Sequence, residues 1–123
     1  MKPDLTTYLG RIVVVRVYKP LGSRHPRHPD MTYPVTYGEV PGTLSGDGKP
    51  IDAYLLGSDA PVAEAEGRVV AVVVRDHDDE DKLVVTMGGA ALSQEAIWQA
   101  VSFPERYFES RLIMAASPRG TAV

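Results

Sequence analysis

Apolar positions along the chain fall into short runs separated by turn-forming residues. Ile12-Val13-Val14-Val15-Arg16-Val17-Tyr18 is a β-branched run that stops at Pro20 and Gly22, which predicts a strand. Repeated proline forbids a helix over residues 23–30 and leaves a loop carrying Arg24, His25, Arg27 and His28. An extended segment over 33–40 leads into an irregular loop over 41–50, where Pro41-Gly42 and Ser45-Gly46-Asp47-Gly48 mark successive turns. Residues 51–56 form a short strand, and 57–67, with Pro61, a connection. Residues 68–75 are valine-rich without alternation, the pattern of a strand buried on both faces. After a polar break at 76–81 the run 83–86 returns as a strand, so a hairpin joins the two. Ser93 caps a helix that opens with Gln94-Glu95 and continues through Ile97, Trp98 and Val101; Pro104 either breaks it or starts a second turn. Phe103, Tyr107, Phe108 and Leu112 predict a helical tail with an aromatic face. Short strands followed by a C-terminal helix, with no helix between strands, favour a mainly β (α+β) fold. The expectation is a small OB-like, mostly antiparallel β-barrel over 1–123, as one domain.

Composition narrows the function classes. Hydrophobic residues make up 44% and charged residues 24% of 123, which argues for a globular fold and against disorder. The absence of cysteine excludes disulfides, thiolate metal sites and cysteine nucleophiles, so any metal is held by oxygen or imidazole; it is also compatible with a cytoplasmic location. No apolar stretch approaches the roughly 18–20 residues that span a bilayer. A net charge of −3 disfavours binding to nucleic acid by counterion release, and nine scattered aromatics do not make a base-stacking groove.

The hairpin tip carries five carboxylates in six positions, Asp76, Asp78, Asp79, Glu80 and Asp81. Like charges this close repel unless a cation neutralises them; a solvated turn is the other reading. The spacing is not that of an EF-hand, since Asp81 stands where glycine is needed. Asp47 and Asp52 strengthen the metal reading, because Gly46 and Gly48 let the chain turn tightly enough for both carboxylates to face one point. Lys82 suits a phosphate oxygen or a salt bridge to the tip, and Tyr33, Tyr37 and Tyr54 suit either a shared cavity or packing. Arg24 and its basic neighbours either gather an anion or coat a loop. A P-loop, a serine triad and a zinc-binding histidine pair are absent.

The run Tyr33-Pro34-Val35-Thr36-Tyr37-Gly38-Glu39-Val40, followed by Asp47-Gly48-Lys49-Pro50-Ile51-Asp52, resembles the core of family I soluble inorganic pyrophosphatases. That family joins Tyr-Pro-x-x-Tyr-Gly to Asp-x-Asp-Pro-hydrophobic-Asp. The acidic tip ending in Asp81-Lys82 resembles the family's second metal loop, which runs Asp, four residues, Asp, one residue, Lys. Phe103-Pro104-Glu105-Arg106-Tyr107 resembles its C-terminal helix, where a Tyr-Lys pair contacts phosphate. The resemblance implies Mg²⁺ (or Mn²⁺) as cofactor and pyrophosphate as substrate, hydrolysed to two phosphates by a metal-activated water, with a homo-oligomer as the usual assembly. Carried over by position, Asp47, Asp52, Asp76 and either Glu80 or Asp81 would ligate metal. Tyr37, Lys82 and Tyr107 would hold phosphate, with Lys49 and Arg24 as further anion donors, and Asp52, Lys82 and Tyr37 would carry the chemistry. Three departures stand out. Lys49 replaces the family's middle aspartate, Phe108 replaces the helix lysine, and the second loop is one residue short if Asp76 and Lys82 are both equivalent. The alternative expectation is therefore a pyrophosphatase-like module that binds phosphate or nucleotide without turnover.

Overall fold

The computed structural model describes residues 3–19, 35–57, 62–76, 80–89, 92–105 and 110–115, the side chains of 19 and 102–104 excepted. Among the described residues six strands and one α-helix follow in the order β1 (Ile12–Lys19), β2 (Thr36–Val40), β3 (Ile51–Leu56), β4 (Glu64–Arg75), β5 (Lys82–Thr86), α1 (Gln94–Glu105) and β6 (Ser110–Met114). The strands form one sheet in the order β1-β2-β3-β5-β4-β6, and a further pairing of β1 with β4 closes the first five into a barrel. Strand β4 is long enough to serve three neighbours. Its first half pairs β1, its middle β5 and its last residues β6, all antiparallel.

The mainly β barrel with a helix near the C-terminus is the architecture the hydrophobic pattern predicts. One pairing is parallel, β3 with β5, because the β4–β5 hairpin inserts its second strand beside β3. Two boundaries also differ. β4 begins at Glu64 rather than 68, since residues 64–67, Glu-Ala-Glu-Gly, pair with β1 even though they carry no apolar run. The helical tail stops at Glu105, and Leu112 lies in β6, where pairing with Val73 holds it extended.

Alternation along each strand feeds two apolar layers. Val15, Val40, Ile51, Ala53, Leu55, Val69, Val72, Leu83 and Val85 fill the barrel. Tyr54, Leu56, Ala71, Val73 and Val84 point outward and are covered by Ile97 and Val101 of α1. Full burial of each valine, leucine or isoleucine contributes about 1.5–3 kcal/mol, which is why residues 53–56, 69–74 and 83–85 read as unbroken apolar runs. Helix α1 starts where the Ser93 hydroxyl accepts the Ala96 N–H at 3.1 Å, as the sequence predicts.

Candidate active site

Strand β3 turns alternate residues to opposite faces, so Ile51 and Ala53 enter the barrel while Asp52 and Tyr54 face outward. The neighbours of Asp52 follow from register. Glu39 of β2 lies opposite it on one side and Lys82 of β5 on the other, and Tyr37 lies opposite Tyr54. Gly38 permits this approach of β1 and β2, because a Cβ there would stand 2.3 Å from the Arg16 carbonyl oxygen. A register shift in β1 between Val17 and Lys19 accompanies it, and Tyr18 reaches across to donate its hydroxyl to Asp52 at 2.6 Å.

The result is a cleft of about 390 Å³ lined by Tyr18, Tyr37, Glu39, Asp47, Lys49, Pro50, Asp52 and Glu80. Asp47 is held by its own turn: Gly48 adopts a positive φ of 82°, and the carboxylate accepts the Ser45 hydroxyl and the Lys49 N–H. These bonds lower the Asp47 pKa, the Ser45 hydroxyl contributing most. Burial, with Asp52 adding to it, raises the pKa of both Tyr18 and Tyr37 and keeps their hydroxyls protonated.

Behind the cleft lies a buried ionic cluster that residue patterns did not predict. Glu105, at the end of α1, accepts from Arg75 Nε at 3.1 Å and Nη2 at 3.0 Å, from Lys82 Nζ at 3.0 Å, and from the hydroxyls of Tyr54 and Ser110. Burial opposes its ionisation, yet the Arg75 hydrogen bonds, the Lys82 charge and the Tyr54 hydroxyl outweigh burial and hold its carboxyl at about 2. Lys82 has its pKa lowered by burial, partly offset by Glu105. Its ammonium sits 4.7 Å from the Tyr37 ring centroid and 5.2 Å from that of Tyr54, a cation–π arrangement that joins cluster to cleft.

Of the expected site residues, Tyr37, Lys49, Asp47, Asp52 and Glu80 share the cleft. Asp76 turns to Arg111 of β6, at 3.2 Å. Asp81 is buried and accepts the Arg75 backbone N–H at 2.9 Å. Lys82 is buried beneath the cleft wall. Arg24, Tyr107 and tip residues 77–79 lie outside the described residues. Tyr18, Glu39, Arg75 and Glu105 complete the picture. Only the β2–β3 register could have pointed to Glu39, and no pattern in the sequence points to Glu105.

The sequence model of the inorganic pyrophosphatase family matches residues 2–109. The chain belongs to that family. It is a divergent member of the family I soluble inorganic pyrophosphatases. It is 35% identical over 83 residues to an inorganic pyrophosphatase of Mesorhizobium japonicum, covering 63% of this chain and 47% of the relative. To one of Saccharolobus solfataricus it is 37% identical over 60 residues, 46% of this chain and 35% of the relative. The chain thus spans less than half the length of these relatives. Among solved structures, the inorganic pyrophosphatase of Ehrlichia chaffeensis superposes with a TM-score of 0.66 at 19% identity, over 87% of this chain and 88% of that one. That of Coxiella burnetii gives 0.62 at 17% identity, over 92% and 90%. These superpositions show the pyrophosphatase fold. No helix among the described residues is long and apolar enough to cross a membrane.

The cleft's chemistry suits a hard divalent cation. Glu39 and Asp52 are like charges directly opposite on paired strands, a juxtaposition that destabilises a sheet unless a cation intervenes. Among the described residues no three carboxylates or imidazoles converge on one point. Mg²⁺ does not require that, since it is commonly held by one or two carboxylates with water and substrate phosphate completing the shell.

Proposed function

We propose that the chain hydrolyses inorganic pyrophosphate to two phosphates with the help of Mg²⁺ or Mn²⁺, in the cytoplasm. The observation that carries this reading is the convergence of Asp47, Asp52 and Tyr37, from three separate segments, on one cleft. In it Asp47 and Asp52 would hold the cation, which would supply neutralisation of phosphate charge and a more acidic water at neutral pH. Tyr37, kept protonated, donates its hydroxyl to a phosphate oxygen. Lys49 supplies a point charge for the substrate's anionic end. Lys82 acts from beneath, lending positive field through the Tyr37 ring. Tyr107, by position, and Arg24, as a substitute anion donor, donate further hydrogen bonds to phosphate, and assembly as a homo-oligomer accords with the family.

A second reading rests on Lys49, which stands beside the cation ligands where a carboxylate would strengthen the site. It makes the chain a phosphate- or nucleotide-binding relative without turnover. Phosphate release from pyrophosphate, measured with Mg²⁺ or Mn²⁺ on the parent, Asp52→Ala and Lys49→Asp, separates the two. Turnover lost in Asp52→Ala by at least about 100-fold, or about 3 kcal/mol, supports hydrolysis. Turnover seen only in Lys49→Asp supports the binding module.

A further inference from the structure

Glu80 differs from Asp47 and Asp52 in what holds it. Asp52 accepts from the Tyr18 hydroxyl, and Asp47 from the Ser45 hydroxyl and the Lys49 N–H, all neutral donors. Glu80 Oε2 instead meets the guanidinium of Arg75, with Nη1 at 3.0 Å. Arg75 is 3% exposed, and its other nitrogens are committed to Glu105. A guanidinium is ionised throughout the accessible pH range, and this one is clamped from below, so it neither deprotonates nor swings away.

Charge bookkeeping points the same way. The side chains of Arg75, Lys82 and Glu105 bring two positive charges against one negative, and Glu80 on Arg75 and Asp52 beside Lys82 bring compensating negative charge. Drawing Glu80 onto a cation would break its pairing with Arg75 and set a divalent charge beside a fixed guanidinium. Counted back from Lys82, the spacing Asp, four residues, Asp, one residue, Lys places Glu80 at the second acid and Arg75 at the first.

We infer that Arg75 takes the place of a cation at this loop: it holds Glu80 out of metal coordination, and divalent-cation binding depends on Asp52 and not on Glu80. This rests on the cleft being a divalent-cation site. The test is calorimetric titration of Mn²⁺ into the full chain, its Glu80→Gln variant and its Asp52→Asn variant at 0.15 M salt, without substrate. Glu80 is half exposed at the cleft wall, and glutamine keeps its shape and an oxygen that accepts from Arg75, so Glu80→Gln removes the charge while Arg75 stays clamped by Glu105. Glu80→Gln is expected to bind Mn²⁺ within about fivefold of the parent, whereas Asp52→Asn weakens it by at least about tenfold, the usual consequence of losing a group that holds a metal. A Glu80→Gln loss beyond fivefold, with Asp52→Asn also weakened, overturns the inference and leaves the cation site standing. A parent that binds no Mn²⁺, or an Asp52→Asn variant that binds like the parent, overturns both.

Discussion

Two acid-bearing stretches flank one cleft and are anchored by different means. The turn that carries Asp47 and leads to Asp52 is wired by its own backbone and by hydroxyls, and its carboxylates remain at the surface of the cleft. The stretch from Arg75 to Lys82 is wired through buried charges to the end of α1, and Glu105 alone ties β3, β4, β5 and β6 together. The first arrangement leaves carboxylates available to an incoming cation. In the second, Arg75 and Lys82 commit their charges to Glu105, so mutations of these residues report on stability where mutations in the first report on binding.

The contrast is broken most severely at Glu105. Glu105→Gln leaves two buried cations without their anion and should cost about 3–5 kcal/mol in urea denaturation. The same group predicts an acid-sensitive stability. Its folded carboxyl is held at about 2 against an ordinary 4.5, so between those values the unfolded chain binds the extra proton. The stabilisation is therefore complete above pH 4.5 and lost as pH falls toward 2, about 3 kcal/mol in all. Urea denaturation at pH 3 and pH 6 should show about 2 kcal/mol more loss in the parent than in Glu105→Gln. On the other side of the comparison, Lys49→Asp adds a carboxylate to the cleft and removes a competing cation. It should tighten Mn²⁺ binding by about tenfold in calorimetry while leaving the urea midpoint nearly unchanged. Smallest of all, Tyr18→Phe deletes the hydroxyl that meets Asp52 and should cost about 0.5–1.5 kcal/mol of stability.

The strands of the barrel are legible in the sequence because valine, isoleucine and leucine runs fix both their state and their burial. The turn that presents Asp47 is legible from its glycines. Strand β6 is not, since five residues after a helix acquire their state only by lying along β4. The start of β4 is hidden for a related reason: Glu64 and Glu66 look like a loop until β1 pairs with them. Within the site, Asp47, Asp52 and Tyr37 could be grouped from motif spacing. Glu105 could not, because a glutamate at the end of a helix normally faces water, and only the arrival of Arg75 and Lys82 from two other strands makes its burial favourable.

The parallel pairing of β3 with β5 bears on how the chain emerges during synthesis. Strand β3 leaves the ribosome some thirty residues before its second neighbour, and β2 can cover only one of its edges. Until residue 86 has been made, Ile51–Leu56 presents an apolar strand with an open edge, the kind of surface that recruits chaperones or pairs wrongly with another nascent chain. Insertion of β5 closes that edge and, in the same step, brings Lys82 beneath Asp52 and Glu80 to the cleft wall, so the cleft has its full lining only when the barrel no longer has a sticky seam.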